Sequence, residues 1–125
     1  MDTKICLDTD MCIEILKDTE KGIDLLNSVD NSEVFITAVS VFELFLRETN
    51  LHAIEKLLLK TSILDFSELC ARKASEISKE QKRIGRLIEI RDLFIASTAI
   101  INNCTLATLN KKHFENIKEL ELLNI

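Results

Sequence analysis

The chain has 125 residues, 46% of them hydrophobic and 30% charged, with a net charge of −5. That length makes about one domain, here residues 1–125, able to bury roughly two thirds of its unfolded surface, and the composition excludes a disordered or fibrous chain. The apolar runs are short and broken by charge, which excludes a bilayer-spanning helix, and the acidic balance excludes a protein that grips nucleic acid through overall charge.

In chain order, periodicity predicts a first strand over residues 4–8, then a helix from Asp10, as its cap, to Asn27, which Gly22 interrupts without ending. A second strand follows over Ser32 to Thr37, then a helix through Glu48. Leu51 to Lys60 continues as a helix, with Leu51, Ile54, Leu57 and Leu58 spaced for one buried face. Ser62 to Phe66 reads as a third strand, and Ser67 opens a long helix to Ile84 with Glu68 in its first turn and Gly85 as its stop. After an irregular stretch, Asp92 leads into a helix Leu93 to Asn102 whose Ala96, Ser97 and Ala99 permit close approach to a sheet. Thr105 to Leu109 is a fourth strand, Lys112 to Ile117 a short helix, and Leu120 to Leu123 an edge strand. Strands alternating with helices imply an α/β fold with three α/β/α layers and a mainly parallel sheet of four to five strands. With no proline, two glycines and no repeat, nothing marks a domain boundary.

Cys6, Cys12, Cys70 and Cys104 lie among apolar neighbours without a CxxC pair, so they read as buried free thiols. Met1 to Lys4 lacks the basic-then-apolar plan of a signal peptide, and a cytoplasmic location is expected. Any RNA contact must then come from a bound metal or from small basic clusters, Lys79/Lys82/Arg83/Arg86 and Lys111/Lys112, which read equally as solvated helix faces.

Three acids stand out because each is placed where a free charge is costly. Asp8 ends the apolar strand Lys4-Ile5-Cys6-Leu7, and ligands collect outside the carboxyl ends of such strands. Glu43 is flanked by Phe42 and Phe45, and Asp92 opens an apolar helix. Each has a plainer reading: Asp8 and Asp92 as helix caps, Glu43 as a salt-bridge partner of Arg47. If all three converge within ~5 Å, each pair repels by roughly 3 kcal/mol at an effective dielectric of 20, so the cluster calls for a cation or raised pKa values. Oxygen ligands with little histidine nearby favour Mg2+ or Mn2+ over zinc, and such an ion in an open cleft suits phosphodiester hydrolysis.

The order Leu7-Asp8-Thr9, Ser40-Val41-Phe42-Glu43-Leu44, Gly85-x-x-Ile88-x-x-x-Asp92-x-x-Ile95-Ala96-x-x-Ala99 and Thr108-x-Asn110-x-x-His113-Phe114 resembles the PIN-domain family, and within it the small VapC-type toxins of toxin-antitoxin systems. The resemblance covers nearly the whole chain. It implies a Mg2+- or Mn2+-dependent endoribonuclease, a homodimer, a cognate antitoxin that holds the enzyme inactive, and a sheet ordered 3-2-1-4-5. It also implies that Asp8, Glu43 and Asp92 are the metal-binding acids, with Asn110 where many relatives have a fourth acid. Thr9 and Thr108 become hydroxyls supporting the acids, and His113 a structural residue. Arg86, Arg91, Lys111 and Lys112 are the candidates for binding RNA.

Two other readings compete. Asp8-x-Asp10 resembles the nucleophile motif of haloacid-dehalogenase-type phosphatases, in which Asp10 would act as acid and base; such an enzyme has no use for Glu43 in the cleft. The second is a PIN-like binding module without catalysis, which would not bind the metal. The helices at Ile13 to Leu26 and Leu51 to Leu59 carry more aliphatic residues than one sheet face requires, which points to a twin subunit.

Overall fold

The computed structural model describes residues 3–125; Met1 and Asp2, with which the segment read as lacking a signal peptide begins, lie outside the described residues. Four strands, β1 (Lys4–Leu7), β2 (Glu33–Thr37), β3 (Ser62–Leu64) and β4 (Thr105–Ala107), form one sheet in the order β3-β2-β1-β4. All three pairings are parallel, with Leu7 opposite both Ile36 and Ala107. The α/β class and the order expected for the first four strands hold. The fifth strand contracts to a single parallel bridge, Leu106 to Leu122, closed by Leu106 N to Glu121 O and Leu123 N to Leu106 O, each 2.8 Å.

Alternation along the strands divides the core between two faces. Cys6 and Leu106 face one layer with Ala74, Ile77, Leu93, Ala96 and Phe114, while Ile5, Leu7, Ile36 and Ala107 face the other with Met11, Leu25, Leu44 and Ile54. The first helical layer is α5 (Glu68–Arg83) with α6 (Ile90–Ile101) and the short α7 (Lys111–Phe114); the second is α1 (Thr9–Leu16), α2 (Glu20–Ser28), α3 (Ala38–Phe45) and α4 (Leu51–Leu59). Ala96, Ser97 and Ala99 are fully buried, as their small size requires for close packing. All four cysteines are free and buried, and burial raises the thiol pKa of Cys6 and Cys12 far above the usual range.

Local chemistry explains where the elements depart from the periodicity. The helix expected to run from Asp10 to Asn27 is two helices, because Asp18 turns left-handed (φ 53°) and Thr19 caps a new start by accepting from Gly22 N at 3.1 Å. Gly22 is there because the two helices meet: a Cβ on it would lie 2.6 Å from the Glu14 carbonyl oxygen. Ser67 caps α5 by accepting from Cys70 N, and Gly85, at φ 72°, ends its run as expected. The helix after β2 stops at Phe45 rather than Glu48, the last helix is Lys111–Phe114, and β3 and β4 are each three residues long.

Candidate active site

The carboxyl ends of β1, β2 and β4 lie side by side, and the chain leaves each with a polar residue: Asp8, Thr37 and Thr108. Asp8, not Asp10, is the cap of α1; its Oδ1 accepts from Met11 N at 2.9 Å while its own amide donates to Ala107 O at 3.1 Å. A carboxylate fixed from both sides in this way is only 4% exposed. Burial pushes its pKa up to about 6, against the Thr108 hydroxyl and the Met11 amide, which stabilise the ionised form; Asp10 and Asp92 add repulsion.

Glu43 reaches the same end of the sheet from α3. Its Oε1 accepts from the Thr9 hydroxyl at 2.6 Å, and Thr9 meets the buried Ser40 hydroxyl at 2.9 Å. Thr37 caps α3 by accepting from Ser40 N at 3.1 Å, so a run of hydroxyls from buried Thr37 and Ser40 to half-buried Thr9 orients Glu43. The other oxygen, Oε2, pairs with Arg91 Nη1 at 3.3 Å. Asp92 enters from the first turn of α6, whose cap is Glu89, accepting from Arg91 N at 2.9 Å and Asp92 N at 3.3 Å. Burial raises the Asp92 pKa; His113, whose Nδ1 lies 3.1 Å from Asp92 Oδ2, works against that rise, and Glu89 and Glu43 add to it.

Asn110 donates from its amide nitrogen to Asp10 and so sits beside α1. Two open recesses, each of about 440 Å³, flank this corner: one includes Asp92, Arg86, Lys112 and His113, the other Thr108, Asn110, Lys111 and Lys112. A larger one of about 500 Å³ lies between α5 and residues 116–119; it contains none of these acids. Among the described residues, no three His, Cys, Asp or Glu side chains are already gathered as an ion-binding set. Each carboxylate instead faces a partner of its own: Asp8 the Met11 amide, Glu43 Thr9 and Arg91, Asp92 His113.

The family model for the PIN domain matches residues 5–120. The chain belongs to the PIN-domain family. It is 35% identical over 124 residues to ribonuclease VapC1 of Methanocaldococcus jannaschii, covering 97% of this chain and 86% of that one. It is 31% identical over 129 residues to ribonuclease VapC2 of Rickettsia felis, covering 94% and 95%. Among solved structures it matches VapBC2 from Rickettsia felis bound to a DNA fragment from their promoter, with a TM-score of 0.88, 29% identity, and 98% and 99% of the two chains covered.

In this PIN domain the structure draws Asp8, Glu43 and Asp92 to one end of the sheet, with Thr9 and Thr108 beside them, and places Asn110, Lys111 and Lys112 on the rim. Two readings of the local sequence change. Glu43 pairs with Arg91, not Arg47. Phe42 and Phe45 do not enclose it, being 57% and 40% exposed, because the buried side of α3 is Ser40 and Leu44. His113, read as structural, is an exposed residue whose ring nitrogen contacts Asp92. Ser40, Thr37 and Glu89 carried no assigned role in the sequence; the signal that was present is the Thr-x-x-Ser spacing at 37–40, an N-cap pattern.

Proposed function

We propose that this PIN domain is a divalent-metal-dependent endoribonuclease, the toxin of a toxin-antitoxin pair, acting in the cytoplasm on RNA. The observation that carries the reading is that Asp92 at the start of α6 repels both buried Asp8, at the carboxyl end of β1, and Glu43 of α3, although each acid now faces a partner of its own. The donor set is all oxygen, the mutual repulsion of the acids calls for positive charge, and Asp8 is too buried to find it in solvent, so Mg2+ or Mn2+ fits the residues present. Asp8, Glu43 and Asp92 would hold the ion once Arg91 leaves Glu43 and Asp92 turns from His113, and Asn110 keeps a carbonyl oxygen for the same rim. When bound, such an ion lowers the pKa of water and neutralises charge on the phosphodiester.

The chain's own residues supply the rest. Thr9 and the hydroxyls behind it hold Glu43 in one orientation, and the Met11 amide and Thr108 do the same for Asp8. Arg86, Lys111 and Lys112 line the two recesses and Arg91 pairs with Glu43, so these four would offer local positive charge to an RNA backbone on a chain whose overall charge is negative. The phosphatase reading loses its basis: Glu43 reaches the cleft, Asp10 is occupied by Asn110, and the relatives are named ribonucleases. A cognate antitoxin is the expected partner by likeness to the VapBC2 structure. A homodimer would cover the aliphatic residues that α2 and α4 leave exposed, Ile23, Leu26, Leu51 and Leu59.

The test is cleavage of RNA by the purified chain in Mg2+, in Mn2+ and in chelator. Cleavage that requires either ion supports the proposal, and cleavage undiminished in chelator refutes the metal assignment.

A further inference from the structure

Arg91 has a position that its sequence neighbours do not explain. Its guanidinium lies 3.3 Å from Glu43 Oε2, on the oxygen that Thr9 leaves free, and its Nε is 4.0 Å from Glu89 Oε1. The ring of Phe42 lies under it, 5.9 Å from guanidinium carbon to ring centroid. The Glu43 side chain is 20% exposed and that of Arg91 47%, so one end of this ion pair is in the cleft and the other reaches solvent. Arg91 is thus the only cation that the described ion pairs place on Glu43.

A divalent ion held by Glu43 would repel a guanidinium 3.3 Å from its Oε2, so the two would compete for this carboxylate. A half-exposed arginine leaves such a pair at little cost. On leaving, it stays tethered at the mouth by the first turn of α6 and by the Phe42 face, next to the recess that holds Arg86 and Lys112. Its planar fork is suited to a phosphate diester.

We infer that Arg91 is the cleft's built-in counter-ion: it neutralises Glu43 until a divalent ion takes its place, and the guanidinium so released grips a phosphate of the RNA. This rests on the metal-dependent ribonuclease reading, and it adds that metal loading and substrate binding are coupled through one side chain. Without the ion the site is neutralised from within; with it, Arg91 becomes a positioning residue for the substrate.

The experiment compares the wild-type chain with Arg91→Gln and Arg91→Lys. Manganese binding is measured by calorimetry without RNA. Removing the competing charge should tighten it about 3- to 5-fold in Arg91→Gln, the scale of a partly exposed ion pair, and Arg91→Lys should return it towards wild type. Binding of a short single-stranded RNA with phosphorothioate linkages is then followed against salt, in manganese and in chelator. Arg91→Gln should reduce the salt slope by about 0.7, the value of one phosphate contact on a single strand, in manganese only. Equal manganese affinities for wild type and Arg91→Gln, or a slope change of the same size in chelator, would overturn the inference alone. No manganese binding by any of the three proteins would overturn it together with the metal reading beneath it.

Discussion

Two helix N-termini bring acids into this cleft, and they hold them in opposite ways. At α1 the acid is the cap: Asp8 accepts the Met11 amide, is almost wholly buried, and has no rotamer to change without uncapping its helix. At α6 the cap is a different residue, Glu89, which leaves the Asp92 side chain in the first turn, half-buried and hydrogen-bonded to an exposed histidine. The difference separates a fixed ligand from an adjustable one. A carboxylate used structurally is oriented before any ion arrives, and its burial raises its pKa; one freed from capping can turn towards an ion or away.

The sharpest way to break this comparison is Asp8→Asn. The substitution keeps the volume and the acceptor for Met11 but removes the charge, so RNA cleavage should fall by about 100-fold or more while the fold survives, as read by single-turnover cleavage and circular dichroism. Retained cleavage would mean that the fixed acid is only a cap.

The same variant makes a stability prediction with the opposite sign. The Asp8 pKa is raised in the folded state to about 6, above the unfolded value, so its contribution is most favourable below the unfolded pKa and is lost as pH rises through 6. In metal-free buffer at neutral pH Asp8→Asn should therefore gain about 2 to 3 kcal/mol over wild type, and at pH 4, close to the unfolded pKa, that gain should shrink to about 0.5 kcal/mol. Denaturant titrations at the two pH values measure it; an equal difference at both would show that ionisation of Asp8 is not the cause.

At the second N-terminus the cap and the acid can be separated. Glu89→Ala leaves the amides of Arg91 and Asp92 without their acceptor and should cost about 1 kcal/mol of stability in the same titration, with cleavage lowered because Asp92 rides on the frayed turn. The smallest effect is expected at Asp10→Asn. Asp10 is exposed and bears on the site through its hydrogen bond from Asn110 and a minor repulsion of Asp8, so stability should change by less than about 0.5 kcal/mol and cleavage should stay near wild type. A large loss of cleavage there would move Asp10 from the rim into the chemistry.

Much of this was legible in the chain because it is governed by near neighbours. The alternation of β1, the Ser67 cap, the Gly85 stop and the small residues of α6 follow from rules spanning a few residues, and the parallel three-layer class follows from the alternation of strands and helices. The three acids were visible for the same reason, each being a charge in an apolar stretch. The split between α1 and α2 was not, because it depends on a left-handed Asp18 and on the approach of Gly22 to Glu14 after the chain has turned. Nor were the partners of the acids: Thr9 with Glu43, Arg91 with Glu43, His113 with Asp92 and Asn110 with Asp10 are 34, 48, 21 and 100 residues apart. Residue type and local period determine that a charge needs compensation; which group supplies it is decided only when the parallel strands align their carboxyl ends.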